Sequence, residues 1–252
     1  MDKIAGIILA AGKGTRMNGG EATPIPKVMF KINGEPIIKY SVELLKKAGV
    51  NRVVLVVGYH KETVMNYFGD EVEYAVQEEQ LGTGHAALMA KKLLEGKSEA
   101  VAIFYGDNPL YHPETVRKLI DLYEKEKPTI AMLSVIFEKP DFWAFGRLLR
   151  NSKGEVVDIV EQKDCTREQL KIKENNPGFY IFDAKWFWEN CEKIQTHNTQ
   201  KEYYLTDIVK LASDQGKRII AIPVSEVTEA LGINNPEQLE KASEILKRRK
   251  LQ

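Results

Sequence analysis

A chain of 252 residues is long enough to bury a substantial core in one large α/β domain or in two small ones. Its 36 basic and 36 acidic side chains cancel, so the composition predicts no general surface for nucleic acid. The two cysteines are far apart, which argues against a disulfide framework and a zinc site. The sequence has no long apolar run, which argues against a membrane span, and its N-terminus is unlike a signal peptide. We therefore expect a cytoplasmic protein.

The first predicted strand runs directly into a loop of small and basic residues. Residues 4–9 form an apolar run with β-branched members, which is typical of a strand buried on both faces of a parallel sheet. The residues that follow are alanines and glycines, and Lys13 and Arg16 add positive charge at the same edge. Because backbone N–H groups can approach a ligand closely where side chains are small, the loop suits a polyphosphate.

Two common phosphate-binding motifs do not match this loop. The Rossmann fingerprint would need a third glycine where Met17 stands, and the second apolar run, 53–57, ends in Gly58-Tyr59 rather than in an acidic residue. The Walker-type pattern G-x-x-x-x-G-K-[ST] does not occur in the sequence. On the two glycines alone, a plain tight turn between strand and helix remains the alternative.

Strands and helices then alternate through residue 126. The elements that we predict are a mobile loop at 18–26, helices at 35–49, 60–68 and 113–126, a further helix begun by Thr83, and strands at 53–57, 72–76 and 101–105. This βαβα order predicts a parallel sheet with helices on both faces.

Polar residues follow the third and fourth strands. Gln77 offers an amide donor and acceptor pair for the edge of a nucleobase, while Gly82 and Thr83 either contact a ligand or simply form a turn and cap a helix. Asp107 stands at the carboxyl edge of a central strand, where ligands bind in open α/β sheets. It is therefore our first candidate for a Mg²⁺ ligand, and capping of the next helix is the alternative.

The second half of the chain is richer in strands. We predict a strand at 129–137, a β-hairpin at 145–150 and 155–160, a strand at 178–182, a helix from Glu202 to about Gln215, a strand at 219–224 and a terminal helix starting at Pro236. Insertions of this kind at the carboxyl side of a sheet often shape a substrate pocket, so we expect a β-rich insertion to do so here.

The segment LAAGKGTRM, followed by Pro26-Lys27, resembles the signature of the sugar-nucleotide pyrophosphorylases, a family of nucleotidyltransferases. Further blocks follow in the family order across nearly the whole chain: QEEQLGTGHA, YGDNPL, FGR, VEQKD, EYYLTD and GINN. Together they resemble one branch, the uridylyltransferase domain of bacterial N-acetylglucosamine-1-phosphate uridyltransferases. Bifunctional members add an acetyltransferase domain of hexapeptide repeats; because this sequence shows no such repeat, we expect a second activity to be absent.

This resemblance implies a Rossmann-like, mainly parallel sheet of the nucleotide-diphospho-sugar transferase type within one domain, 1–252. It divides the domain into a nucleotide-binding half, 1–110, a sugar-binding half, 111–228, and a return to the metal site with the terminal helix, 229–252. The implied reaction is an in-line attack of a sugar-1-phosphate oxygen on the α-phosphorus of UTP, which releases pyrophosphate. Because the nucleophile is already anionic, no general base is required, and alignment and charge neutralisation carry the catalysis.

The resemblance also implies a role for each matching residue. Arg16 and Lys27 would be the catalytic cations that grip the phosphates, while Asp107 and Asn234 would hold Mg²⁺. The residues implied to contact the nucleotide are Leu9, Ala10, Ala11, Gly12, Gly14 and Gly106, with Gln77, Gly82 and Thr83 reading uracil; Gly146, Glu161 and Asn176 would hold the sugar, and Asn234 would touch substrate as well as metal.

Four features depart from the usual pattern of this branch. The loop between Arg16 and Lys27 is longer, Phe145 replaces a tyrosine, Pro177 replaces a threonine, and Leu231 stands where an acidic residue is common. The last three belong to the sugar side of the expected pocket. A uridylyl- or thymidylyltransferase for another hexose-1-phosphate, of the glucose or galactosamine type, is therefore one alternative, and a nucleotide-sugar sensor without turnover is another. Monomer and homodimer both stay open.

Overall fold

A computed structural model of the chain describes residues 2–140 and 144–250. Its strands are β1 (Asp2–Leu9), β2 (Lys31–Ile32), β3 (Glu35–Pro36), β4 (Val53–Val57), β5 (Glu73–Val76), β6 (Ser98–Tyr105), β7 (Ile130–Ile136), β8 (Gly146–Arg150), β9 (Val156–Val160), β10 (Glu174–Asn176), β11 (Phe179–Asp183) and β12 (Ile219–Pro223). Its α-helices are α1 (Ile37–Lys47), α2 (Lys61–Phe68), α3 (Thr83–Met89), α4 (Lys91–Leu94), α5 (Pro113–Glu126), α6 (Arg167–Leu170), α7 (Ala184–Asn190), α8 (Asp207–Asp214) and α9 (Pro236–Lys250). Within the described ranges, every helix is too short or too polar to cross a bilayer.

The strands of the first half form the parallel part of a ten-stranded sheet. β1 pairs in parallel with β4 on one side and with β6 on the other, and β5 extends this part beyond β4. Beyond β6 the sheet becomes mixed, in the order β11-β7-β10-β8-β9, with β12 parallel to β7. The carboxyl ends of β4, β1 and β6 consequently meet at one edge, which is where ligands bind in open α/β sheets.

Alternate residues of the central strands supply two separate cores. Ile7 and Ile103 belong to the core on the face that carries α3, α7 and α8, whereas Ile8 and Phe104 belong to the opposite core, under α1, α2 and α5. Because helices cover both faces, these strands are apolar along their whole length. The predicted α/β fold, with a mainly parallel sheet, helices on both faces and a β-rich insertion that contains the β8–β9 hairpin, is confirmed.

A short break separates β10 from β11 at Pro177 and Gly178. Both strands run antiparallel to β7 and follow one another along it. On the side away from β7, β10 pairs with β8, whereas β11 pairs with β6. Gly178 has a φ of 83°, and a Cβ built on it would lie 2.1 Å from the ring of Tyr105. The glycine therefore lets the chain turn tightly over that ring.

Two sequence predictions about elements need correction, and one strand was missed. The helix predicted from Glu202 begins only at Asp207, because the backbone of Tyr203 instead donates to Leu81 O (2.8 Å) and accepts from Gly84 N (2.7 Å). The helix predicted at 35–49 is α1, which is shorter because β3 occupies its expected start. The strand β10 was not predicted.

The β2–β3 hairpin had a recognisable signal in the sequence. Its turn is Asn33-Gly34, and both residues have positive φ, 50° and 92°. An Asn-Gly pair is favoured in two-residue hairpin turns because these turns need positive φ at both central positions.

The terminal helix α9 anchors the segment that precedes it. Ile233 packs with Met17, Ile32 and Leu110 in a small cluster to which α9 contributes Ala242. At the far end of the helix, the Arg249 guanidinium donates to the Leu110 carbonyl at 2.6 Å. These contacts hold residues 231–235 close to the end of β6.

Replacement of Phe104 by alanine tests the core beneath the site. Its side chain is fully buried and stacks on Phe179, with ring centroids 4.8 Å apart. Because the substitution leaves a cavity, we expect Phe104→Ala to lower the free energy of unfolding by about 3–5 kcal/mol in chemical denaturation. Ile136→Ala on the exposed side of β7 is the control and should cost no more than about 1 kcal/mol. Equal losses in the two variants would contradict this account of the core.

Candidate active site

The loop that follows β1 lies between the loops that follow β4 and β6. Ala11 O accepts from Tyr59 N (3.2 Å), and Leu9 O accepts from Gly106 N (3.0 Å), so backbone hydrogen bonds fix the loop on both sides. Gly14 has a φ of 67°, and a Cβ there would lie 2.4 Å from the Cβ of Lys27. Glycine at this position therefore allows Lys27 to pack against the loop.

Four of the predicted site residues meet at this edge. Lys27 Nζ donates to the Asp107 carboxylate and to Asn234 Oδ1, the latter at 3.0 Å. Arg16 Nη2 donates to the same Asn234 oxygen at 2.9 Å. The four side chains come from three distant parts of the chain, and together they form a continuous chain of hydrogen bonds.

The position of Asn234 is set by its neighbours in the return segment. Its backbone N–H donates to Gln238 Oε1 at 2.7 Å, and Gln238 N in turn donates to Asn235 Oδ1 at 2.8 Å. One residue earlier, Ile233 N donates to the carbonyl oxygen of Asp107 at 3.0 Å. The return segment is thus hydrogen-bonded directly to the loop that carries Asp107.

An open cavity of about 340 Å³ lies over the loop. It is lined by Leu9, Ala10, Ala11, Gly12, Lys13, Lys27, Val28, Gln77, Gln80, Gly82, Thr83, Ala86, Tyr105, Asp107 and Glu202. Most of the residues predicted to contact a nucleotide are therefore in its wall. Arg16 and Asn234 line a neighbouring cavity of about 500 Å³, and the hydrogen bond from Lys27 to Asn234 joins the two linings.

Gln77 is buried and its amide nitrogen is already engaged. Nε2 donates to Gly82 O at 3.1 Å and lies 3.0 Å from His85 Nδ1, so the amide nitrogen is turned toward the protein. This contact differs from the expectation that Gln77 offers both an amide donor and an acceptor to a base, because the nitrogen already bonds Gly82. The carbonyl oxygen is the group with which Gln77 can contact a ligand.

Gly82 and Thr83 are held against the segment that precedes α8. Gly82 has a φ of 116°, and a Cβ on it would lie 2.6 Å from Tyr203 O, so only glycine fits. The Thr83 hydroxyl accepts from Leu205 N at 2.9 Å. Thr83 begins α3, as predicted, but its side chain fixes a distant segment instead of capping its own helix.

The three predicted sugar-side residues meet around β8. Gly146 is paired with Asn176 of β10, and a Cβ on Gly146 would lie 3.5 Å from the Glu161 carboxyl carbon. Glu161 accepts from the Thr206 hydroxyl at 3.1 Å, and burial raises the pKa of its carboxyl. These residues do not belong to the wall of the 340 Å³ cavity.

Tyr105 connects the two groups of residues. It lines the cavity, and burial raises the pKa of its hydroxyl, while the nearby Thr83 and Tyr180 side chains act in the opposite direction. Tyr180 OH in turn accepts from Asn176 Nδ2 at 2.6 Å. Polar side chains therefore lie in a row from the cavity wall to Asn176, and Tyr105, at the centre of this row, was not predicted from the sequence.

Other residues of this region received no role from the sequence. Glu202 lines the cavity, and Thr206 bonds Glu161. Both belong to the EYYLTD block, so that motif was the available signal. Arg147 of the FGR block is fully buried and donates to the carbonyl oxygens of Phe145, Pro140 and Leu170, which makes it a structural residue.

Asp107 and Asn234 are the residues here that could hold a metal ion. The side-chain oxygens of both residues lie close together, because Lys27 Nζ donates a hydrogen bond to each of them. In the described ranges, 2–140 and 144–250, no three His, Cys, Asp or Glu side chains cluster as a metal site. A pair of oxygen ligands, completed by substrate oxygens and water, fits Mg²⁺ better than a transition metal.

Comparison with known proteins identifies relatives along the whole chain. The model of the MobA-like NTP transferase domain matches residues 6–168. The bifunctional protein GlmU of Clostridium novyi is 43% identical over 244 residues, which are 96% of this chain and 52% of that protein. GlmU of Geobacter metallireducens is 41% identical over 251 residues, 99% of this chain and 52% of that protein. The chain thus spans about half the length of the curated relatives it matches.

Solved structures share the fold at low sequence identity. A UDP-glucose pyrophosphorylase complexed with UDP-glucose superposes with a TM-score of 0.79 at 22% identity, covering 99% of this chain and all of that one. A putative glucose-1-phosphate thymidylyltransferase from Bacillus anthracis gives 0.76 at 18% identity and covers 96% of this chain and 94% of its own. The sheet order and its helices are therefore those of this group of folds.

The Asp207 carboxyl should make stability depend on pH. Burial, followed by the charges of Asp158, Glu161 and Asp164, raises its pKa to about 7 in the folded chain, so the folded state binds its proton more tightly than the unfolded state. The free energy of unfolding should therefore fall as the pH rises from about 4 to about 7. We expect Asp207→Asn to raise the melting temperature relative to the wild type more at pH ~8 than at pH ~4.5.

Asp214→Asn, at the exposed end of the same helix, is the matched control. Its carboxylate pairs with Lys210 at the surface, where such pairs contribute little. A melting difference for Asp207→Asn that is the same at both pH values would contradict the prediction.

Proposed function

Because the chain belongs to the family of MobA-like NTP transferase domains, we propose that it transfers the uridylyl group of UTP to N-acetylglucosamine-1-phosphate, which yields UDP-N-acetylglucosamine and pyrophosphate. The observation that carries the proposal is the convergence of Arg16, Lys27, Asp107 and Asn234 at the carboxyl edge of the sheet. The motif blocks and the 43% identity with GlmU of C. novyi support the choice of nucleotide and acceptor.

The proposed division of labour follows the chain. Residues 1–110 bind the nucleotide, 111–228 bind the sugar, and 229–252 return Asn234 to the metal site. The base enters the 340 Å³ cavity, where Gln77 accepts a hydrogen bond from it and the backbone around Gly82 and Thr83 lies beside it. Gly146, Glu161 and Asn176 face the acceptor sugar.

Asp107 and Asn234 are proposed to hold Mg²⁺, which when bound neutralises phosphate charge and orients the phosphate oxygens. The Lys27 ammonium lies between these two oxygens in the structure. Binding of a triphosphate supplies a competing anion for Lys27. Lys27 then leaves Asp107 for the phosphates, and the two oxygen ligands become free for the metal.

The chain's own residues act by alignment and by charge. An oxygen of the sugar-1-phosphate attacks the α-phosphorus of UTP, the bond to the β-phosphate breaks, and pyrophosphate leaves. The attacking oxygen is already anionic, so no side chain has to remove a proton from it. Arg16 and Lys27 neutralise the charge that grows on the phosphates as the bond breaks.

A panel of nucleotides and acceptors tests the proposed function. We expect pyrophosphate release to be fastest with UTP and N-acetylglucosamine-1-phosphate, and slower with dTTP or with glucose- and galactosamine-type phosphates. Asp107→Ala should reduce turnover at least ~10³-fold, because it removes the charged metal ligand. Binding of nucleotide sugar without any turnover would instead favour a sensor, and a faster reaction with another acceptor would reassign the substrate.

Removal of the Lys27 ammonium should affect turnover and metal binding in opposite directions. Lys27→Met should lower kcat by about 10²–10³-fold, because a cation on the phosphates is lost. The same variant should bind Mg²⁺ more tightly than the wild type in the absence of nucleotide, as measured by calorimetry, since no ammonium competes for Asp107 and Asn234. Lys13→Met, in the same cavity wall, is the control and should leave this Mg²⁺ affinity unchanged. Weaker Mg²⁺ binding by Lys27→Met would contradict the competition.

A further inference from the structure

Asn108, next to Asp107, is one of the few polar side chains that the fold buries almost completely. It is 2% exposed, and its Nδ2 donates to the carbonyl oxygen of Pro177 at 3.0 Å. The Tyr111 hydroxyl donates to the same carbonyl at 2.9 Å and lies 3.3 Å from Asn108 Nδ2. The break between β10 and β11 is therefore fastened to the end of β6 by two side chains.

The other end of the Asn108 amide faces the return segment. A Cβ built on Gly232 would lie 2.4 Å from Asn108 Oδ1, so this glycine is required for the two segments to approach. Beside this contact, the backbone N–H of Ile233 donates to the Asp107 carbonyl. A single buried amide thus touches the segment that carries Asn234 and the turn that carries Asn176.

The surroundings of position 108 require an amide side chain. The carbonyl oxygen of Pro177 needs hydrogen-bond donors, because it is enclosed between Asn108 and Tyr111. An apolar side chain at 108 would remove one of these donors. A carboxylate would place negative charge beside the carbonyl oxygen and one residue from Asp107.

We propose that Asn108 is a positioning residue, which sets the distance between the Asp107–Asn234 pair and the sugar-side turn at 176–178. The inference rests on the proposed function, because it assigns Asn108 the task of keeping metal and acceptor in register. Asn108 does not line either cavity, so it acts through its neighbours. Misplacement of reacting groups by a fraction of an ångström to 1 Å is enough to change rates strongly.

The test is Asn108→Asp, which keeps the shape of the side chain and removes its donors. We expect the KM for the sugar phosphate to rise about 10-fold and the Mg²⁺ dissociation constant, measured by calorimetry, to rise about 10-fold, while the KM for UTP stays within about twofold. Tyr111→Phe is the matched variant, since it removes the second donor to Pro177 but is not adjacent to Asp107. It should raise the KM for the sugar phosphate and leave the Mg²⁺ dependence unchanged.

A second pair of variants tests the contact itself. Gly232→Ala should impair turnover about 10-fold in the wild type, because its methyl group would collide with Asn108 Oδ1. In an Asn108→Ala background, where that oxygen is gone, the same substitution should cost less than about twofold. Should Asn108→Asp fail to fold, the neutral and smaller Asn108→Ser carries the kinetic test with the same expectation.

The outcomes separate the two proposals. A wild type that releases no pyrophosphate with any sugar phosphate overturns the proposed function, and the inference falls with it. If the wild type is active, two results overturn the positioning role. One is an Asn108 variant that lowers kcat alone, and the other is a variant that changes the KM for the sugar phosphate, the KM for UTP and the Mg²⁺ binding equally. Additive effects of Gly232→Ala in the two backgrounds overturn the contact.

Discussion

The interaction on which the site depends is the bridge that the Lys27 ammonium makes between the Asp107 carboxylate and Asn234. A partly buried carboxylate at the edge of a sheet is stabilised by a compensating positive charge, and Lys27 supplies it. The bridge joins the first third of the chain, its middle and its last twenty residues. It therefore holds these three segments together at the carboxyl edge of the sheet.

The fold brings these three segments together by different means. Parallel pairing of β1 with β4 and β6 places the first loop beside Asp107, because the carboxyl ends of parallel strands share an edge. The cluster beneath α9 carries Asn234 back to the same edge. Two glycines permit close approaches between these segments, Gly14 against Lys27 and Gly232 against Asn108. A larger residue at position 14 would collide with Lys27, and one at position 232 would collide with Asn108.

Sequence patterns predicted the parts of this arrangement that depend on local periodicity. The apolar strands and α5 were placed within a few residues, and the ends of β1 and β6 marked the ligand edge. The predicted start of α8 was wrong, because the backbone N–H and carbonyl of Tyr203 form hydrogen bonds with the distant Leu81 and Gly84. Tyr105 and Asn108 were likewise missed as links, because their contacts join residues far apart in the chain. The motif blocks indicated the region, but not which side chains contact each other there.

The fixed amide of Gln77 has a consequence for the choice of base. In the proposed function, the amide nitrogen is turned toward Gly82 and His85, so this side chain offers its carbonyl oxygen and suits a base that presents a ring N–H. Cytosine has a bare ring nitrogen at that position and would meet lone pair against lone pair. Uracil and thymine present the same ring N–H and the same two carbonyls, so this amide treats them alike. Discrimination between ribo-uridine and thymidine nucleotides must then come from the room around the methyl group and from the ribose hydroxyl.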